Sequence, residues 1–494
     1  VNTPVILLGI VAAPITLLWG PVVAYNLLMV AAFGLSAWAA YHVFQRYCGS
    51  RSAAWVGGLL FAFGPYMVAQ SMGHLDLVVM VYPPIALLLV DAIVRGRRRR
   101  WLAGALLGLA TAAQLLVMEE TIAGVAIACL TVVAMAALVW PSFVRSHWRH
   151  ALPGFGAAAV AFLACAAVPL WYQMAGPQVP AGLREVANTT SSDVAGFVVP
   201  TANQALSPQA ARDVASHLVA QATGQDAYIG IPMLALAALV GWRFRTRPEV
   251  RVAAALAMVF GVLSLGPWLN AGGRVLSVPL PGWLLQHVPL VNNVVPLRLM
   301  AFTDFFLTFI VAWGLAHRAS LSRPTRAAVL ALTVLAIASW FPALPRQTLS
   351  PPVPSALPAA VGRSIPTHGT LLFAPLPSQG NADPMWYQLQ DSFRFALAGA
   401  YAYANGPDIP LEDALQSASP GDIDDAERVA DDARQATRII GAYRALGITT
   451  IVVPPGPTYD AYDRLFTSLC GSPPRVDAGF ATWALAPAAR ECRP

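Results

Sequence analysis

The chain of 494 residues is 57% hydrophobic and only 11% charged, where a soluble domain has roughly a quarter of its residues charged. That balance defines a polytopic membrane protein and excludes soluble classes. The net charge of +6 comes from arginines, with no lysine anywhere. They gather in short loops between apolar runs, which is a topological signal rather than a nucleic-acid one.

The chain opens on Val1 with no basic n-region and no small-residue cleavage site, so its natural start is expected further upstream. The run 4–19 is apolar but carries Pro4 and Pro14. At roughly 20 residues per crossing it is too short, and reads as a re-entrant or interface-lying helix. Full crossings are expected at 22–44, 53–70 and 77–94, the last ending in Arg95-Gly-Arg-Arg-Arg-Arg100. A loop so basic stays in the cytoplasm. Further crossings follow at 101–118, 121–140, 151–170, 228–242, 252–268, 300–315 and 327–341, with a turn at Glu119-Glu120. If 4–19 does not cross, the arginine bias puts every loop on a consistent side. The hinge Met72–Asp76, the Glu119-Glu120 turn and the loops 171–227 and 270–298 then share the outer face.

After 341 the composition changes. The proline-rich stretch 342–358 reads as an extended tether. The region 359–494 is expected to be a small extracytoplasmic α/β domain. Thr370 to Ala374, Thr450 to Val453 and Ala481 to Leu485 are its candidate strands, and Asp422 to Leu446 has helical spacing with Val429, Ile439, Ile440 and Tyr443 on one face. Cys470 and Cys492 lie outside the cell in this topology, where a disulfide is chemically permitted.

Polar residues at the outer rim are the candidates for chemistry. His74 and Asp76 either meet headgroup water in a turn or form part of a site, since charge deep in a bilayer costs roughly 2.5–3.5 kcal/mol. Asp76 can take Mg²⁺ or Mn²⁺, but needs at least one more carboxylate, for which Glu119 and Glu120 lie on the same face. Asp193 precedes Phe197-Val-Val-Pro200 and reads as a ligand-binding residue or as an Asx-turn residue. Arg298 enters the membrane from the outer side, against the usual bias, and suits either a headgroup or a bidentate phosphate. Asp304, one turn deeper, is a potential partner for it, and His287 is a weaker candidate nearby.

The order of these elements resembles the GT-C superfamily of bacterial multi-span glycosyltransferases, in an actinobacterial type with a C-terminal extracytoplasmic domain. The resemblance rests on Ala13-Pro-Ile-Thr-Leu-Leu-Trp-Gly-Pro21, Phe61-Ala-Phe-Gly-Pro65, Gly73-His74-Leu-Asp76, Glu119-Glu120, Ser192-Asp193 with Phe197-Val-Val-Pro200, Ala227-Tyr-Ile-Gly-Ile-Pro232 and Pro296-Leu-Arg298. It implies transfer of a sugar from a polyprenyl-phosphate donor to a cell-envelope glycan, lipid or protein at the outer face of the cell membrane. It further implies that a first span and the main catalytic Asp precede Val1. His74 and Asp76 then fall at the superfamily's second acidic motif, His standing where an acid is common, and Arg298 matches the basic residue that binds donor phosphate. Asp76, Glu119 and Glu120 are thus the candidate catalytic residues, and His74, Asp193, His287 and Arg298 the candidate substrate-binding ones. Mg²⁺ or Mn²⁺ at Asp76 is the candidate cofactor.

Two other classes share such an architecture. A lipid or solute transporter or flippase would spread polar residues through its spans and carry internal repeats. Here they cluster on one rim, and no repeat is visible. A non-catalytic scaffold of envelope assembly would leave the rim residues dispensable.

Overall fold

A computed structural model describes residues 5–96, 99–139, 141–176, 190–218, 226–288, 291–292, 294–346, 355–366, 368–378, 381–399, 409–416, 419–485 and 492. The chain divides into two compact units. One joins Thr3–Pro177 to Gly182–Gln347, and the other is built mainly on Thr348–Pro494.

The first unit is a largely helical polytopic membrane fold. Its elements are α1 (Ile6–Trp19), α2 (Pro21–Cys48), α3 (Arg51–Ala62), α4 (Pro65–Gln70), α5 (Leu75–Val78), α6 (Tyr82–Val94), α7 (Arg100–Leu115), α8 (Glu119–Val139) and α9 (Pro141–Ala175). They continue with α10 (Gln209–Ala215), α11 (Ile231–Arg243), α12 (Pro248–Ser264), the hairpin β1 (Trp268–Ala271) and β2 (Arg274–Pro279), α13 (Gly282–Leu285), α14 (Met300–Ala316) and α15 (Arg323–Trp340). Among the described residues five helical stretches are long and apolar enough to cross a membrane: Pro21–Cys48, Leu75–Val94, Glu119–Val139, Trp148–Ala175 and Pro296–Ala316. At 14 residues, α1 reaches about 21 Å against a hydrocarbon core of about 30 Å.

Three expected spans depart from simple helices. The run 53–70 breaks at Phe63-Gly64, because Pro65 cannot continue the preceding helix and instead opens α4 at its first turn. The run 77–94 breaks between α5 and α6 for the same reason, with Pro83 and Pro84 in the first turn of α6. The arginine-bearing segment before 151 is not a loop: it is already helical, and α9 runs 35 residues.

Packing sorts these helices by depth. In the α14 stretch 94% of residues are buried, whereas in α8 only 6% are. Aromatic rings make the centre: Phe260 stacks on Phe302 at 4.7 Å between centroids, and Phe305 meets Phe44 and Phe61, each at 5.2 Å. Helices α7 and α9 touch backbone to backbone, since a Cβ on Gly104 would overlap the Gly154 carbonyl and one on Gly108 the Ala158 carbonyl. Small residues four apart permit that approach, as in other membrane helix pairs.

The second unit holds α16 (Ala359–Ser364), β3 (Thr370–Phe373), α17 (Asp383–Gln390), β4 (Ala396–Leu397), α18 (Glu412–Gln416), α19 (Pro420–Ala430), α20 (Ala433–Ala445), β5 (Ile448–Val453), α21 (Tyr459–Cys470), β6 (Arg475–Asp477) and β7 (Phe480–Ala484). Its sheet has the order β4-β3-β5-β7-β6. β3 runs parallel to β4 and β5, whereas β7 is antiparallel to both β5 and β6. The expected helix over 422–446 is two helices. Asp432 interrupts it by accepting the Arg434 backbone N–H as the N-cap of α20, and Val429 lies exposed. Ile439, Ile440 and Tyr443 are buried as their spacing predicts. A disulfide joins Cys470 to Cys492.

The stretch expected to be a tether is held at each end. In the first unit the Ala343 N–H donates to Asn203 O at 2.8 Å and Arg346 reaches Val68 O at 3.1 Å. In the second, Ser355 O accepts the Trp386 indole N–H and Leu357 packs on the sheet. Residues 347–354 lie outside the described residues.

Candidate functional site

The helix breaks build the site. Because the chain turns at Gly64-Pro65, α4 presents Tyr66 to the first residues of α8 and α14. A cavity of about 20 Å³ opens there, lined by Tyr66, Leu77, Met80, Glu120, Thr121, Arg298 and Phe302 among others. That is room for about one water molecule.

Arg298 Nη1 donates to Glu120 Oε1 at 2.6 Å, and the two side chains are 21% and 18% exposed. This is a short charge-assisted bond in a poorly hydrated place, stronger than an open surface pair. The neighbouring Glu119 turns the other way and accepts the Gln173 amide from α9 at 3.3 Å. Two adjacent carboxylates at the helix start thus face different partners. Thr121 is buried beside them, and Gly124, one turn on, lets the Phe302 ring approach α8 closely, since a Cβ there would overlap it.

His74 and Asp76 are half-buried at the start of α5, within electrostatic reach of Arg298. Burial pushes the His74 imidazole below its ordinary value. The Asp76 carboxylate opposes that shift and the Arg298 guanidinium adds to it. The neutral ring that burial favours can donate from one nitrogen and accept at the other.

The structure thus brings His74, Asp76, Glu119, Glu120 and Arg298 to one rim, and holds two other candidates apart. Asp193 is 2% exposed, and its carboxylate is spent on backbone: Oδ1 accepts Ala195 N–H at 2.8 Å and Gly272 N–H at 3.0 Å, and Oδ2 accepts Gly273 N–H at 2.8 Å. It pins the 190–199 segment to the β1–β2 hairpin, whose two-residue turn needs both glycines at positive φ. Of the two readings of Asp193, the turn residue describes its contacts. His287 is exposed, and its contacts lie in its own turn, with Nδ1 2.9 Å from Trp283 O and the ring against the Trp283 indole. Asp304 does not pair with Arg298. It lies against Gly64 and accepts the Tyr66 backbone N–H, bracing the α3–α4 break.

Tyr66, Thr121 and Gln173 escaped the sequence reading, as did Asp226. Asp226 is fully buried and accepts Thr201 Oγ1 at 3.0 Å, Gln204 Nε2 at 2.7 Å and Tyr228 N–H at 2.9 Å. Burial pushes its carboxyl above the ordinary range, with those bonds opposing the shift. Among the described residues no group of three or more His, Cys, Asp or Glu comes together to hold a metal ion.

No protein-family model matches the chain, and no curated protein does. Among solved structures, the cryo-EM structure of the arabinofuranosyltransferase AftD from Mycobacteria is similar over 89% of this chain and 29% of that one, with 15% identity and a TM-score of 0.43. The chain spans less than a third of that protein's length.

Proposed function

We propose that this protein is a membrane glycosyltransferase that moves a sugar from a polyprenyl-phosphate donor to an envelope acceptor, with the Arg95–Arg100 end in the cytoplasm and the rim outside. The observation that carries the reading is the Glu120–Arg298 pair across the mouth of a cavity walled by Leu77, Met80 and Phe302. A guanidinium and a carboxylate beside an apolar wall match a substrate that is part lipid and part sugar phosphate.

In this reading the donor phosphate displaces Glu120 from Arg298. The acceptor hydroxyl oxygen then attacks the anomeric carbon as the bond to the lipid phosphate oxygen breaks. The bonding pair leaves on the phosphate, where Arg298 offsets the developing charge, and the hydroxyl proton passes to the released Glu120 carboxylate. His74 and Asp76 bind and orient donor or acceptor hydroxyls, and Glu119, held by Gln173, keeps the start of α8 in place. The cavity must widen to admit a donor, and the thinly packed α8 is the wall that can yield.

The test is release of polyprenyl phosphate from labelled polyprenyl-phosphate pentoses and hexoses by the full-length protein, with thermal melting in parallel. Glu120→Gln removes the proton acceptor and Arg298→Lys removes the planar fork, so each should lower turnover by about 10²-fold or more while the protein stays folded. Wild-type turnover in both variants would overturn the assignment, as would no release by the unaltered protein. Reporters fused after Arg100 and after Pro494 should report opposite sides, and a shared side would refute the orientation.

A further inference from the structure

A second polar concavity lies away from the rim, between the last two turns of α2 and the middle of α6. His42, Gln45 and Arg46 of α2 and Leu88 of α6 line a groove of about 440 Å³. The three polar residues stand at positions i, i+3 and i+4, which puts them on one helix face. Leu88 supplies an apolar wall.

Depth fixes the surroundings of this groove. At 28 residues, α2 is about 42 Å long and exceeds a core of about 30 Å by some two turns. The surplus at this end carries His42 to Arg46 to headgroup level. Aromatic side chains mark the same level: Trp38 meets the His42 ring at 4.6 Å between centroids, and Tyr41 meets Trp55 at 4.9 Å.

The charges leave Arg46 only partly engaged. Asp91, one turn beyond Leu88, accepts Arg95 Nε at 2.5 Å, while Arg46 Nη2 stands 3.6 Å from its other oxygen. Arg95 therefore meets most of the charge of Asp91, whose side chain is 12% exposed against 40% for Arg46. Glu249 is the other acid in reach of this end, acting on Arg95 and Cys48. What remains toward the groove is a guanidinium, an amide and an imidazole above an apolar wall.

We propose that this groove binds the phosphodiester of an anionic phospholipid, with Arg46 and Gln45 donating to the phosphate oxygens, His42 beside them, and the first methylenes of an acyl chain along Leu88. A free phosphate ion offers the same chemistry to the donors, but it would leave Leu88 uncovered and would have to sit at the membrane surface. Basic pockets between membrane helices are suited to such headgroups.

The experiment reconstitutes the full chain in phosphatidylcholine vesicles with and without phosphatidylglycerol, extracts it in mild detergent and counts retained lipids by native mass spectrometry. The wild-type protein should retain phosphatidylglycerol in preference to phosphatidylcholine. Arg46→Gln should cut that preference about fivefold, the size expected of one basic side chain at a charged membrane surface. Gln45→Ala, which leaves Asp91 and its arginines untouched, should also lower it, with melting unchanged. Equal retention of the two lipids, or an unaltered preference in both variants, would overturn the proposal. Displacement of the bound lipid by millimolar inorganic phosphate would overturn the lipid assignment in favour of a simple ion.

Discussion

Asp193 and Glu120 are both carboxylates that the sequence offers for chemistry, and the fold uses them in opposite ways. Asp193 accepts three backbone N–H groups and ties a loop to a hairpin. Glu120 meets a movable guanidinium beside a cavity. The difference lies in the partner. A backbone N–H is fixed by the chain, so replacing it with a ligand means unfolding the loop. An arginine side chain can turn from a carboxylate to a phosphate with no change in the backbone. A carboxylate whose oxygens are taken by main chain is thus structural, and one facing a side chain of opposite charge can exchange partners.

The largest expected effect breaks the structural member. Asp193→Ala deletes three backbone N–H bonds to a buried carboxylate, and bonds to a charged group contribute about 1.5–3 kcal/mol each, so it should destabilise the membrane unit by about 3 kcal/mol or more. Turnover per folded molecule should stay near wild type, since Asp193 has no part at the rim. Chemical denaturation alongside a specific-activity assay checks both halves. Next comes Gly124→Leu, which forces α8 away from Phe302 and should cost about 1–3 kcal/mol. Because it also separates Glu120 from Arg298, it should lower activity without altering either charge. Smaller still is the stability effect of Glu120→Gln, about 1 kcal/mol or less, because an amide oxygen can still accept from Arg298. Taken together, Asp193→Ala should be chiefly a stability variant and Glu120→Gln chiefly an activity variant. Melting curves that reverse that order would erase the distinction between the two residues.

Part of this was legible before the fold. Apolar runs and arginine clusters locate the membrane helices because bilayer thickness and charge bias act on composition. Runs of apolar residues do not say which helix is central, and the sequence reading treats α8 and α14 alike although one is exposed and the other buried. Arg298 stands out by its place against the charge bias and Glu120 as an acid at an outer turn, but nothing in the sequence pairs them. Glu120 lies 178 positions away, and a pairing over that distance is set by tertiary packing. The hairpin at 268–279 carries a local signal, Gly272-Gly273 between two short runs, inside a stretch whose place between spans marks it as a loop. Asp226 carried none. Its side-chain partners are neutral and lie 22 and 25 positions upstream, with no charge pattern to announce them.

Asp226 sharpens the comparison most finely, because it is a buried carboxylate paired with neither kind of partner alone. It takes one backbone N–H and two neutral side chains, and the Arg346 guanidinium is only within electrostatic reach. Burial outweighs those bonds, so its carboxyl sits above the ordinary range in the folded protein. A raised folded value means that the folded state binds this proton more tightly than the unfolded chain does. The contribution to stability is then fully present below the unfolded value and is lost as pH rises through the folded one. Asp226→Asn cannot ionise, though it turns an NH₂ toward donors and should be less stable at every pH. The informative quantity is therefore the slope. The wild-type protein's melting temperature, measured against that of Asp226→Asn, should fall as pH is raised from the ordinary carboxylate range toward neutrality. A gap that instead widens in favour of the wild type as pH rises would mean that the bonds from Thr201, Gln204 and Tyr228 outweigh burial. Asp226 would then be a carboxylate stabilised in its charged form.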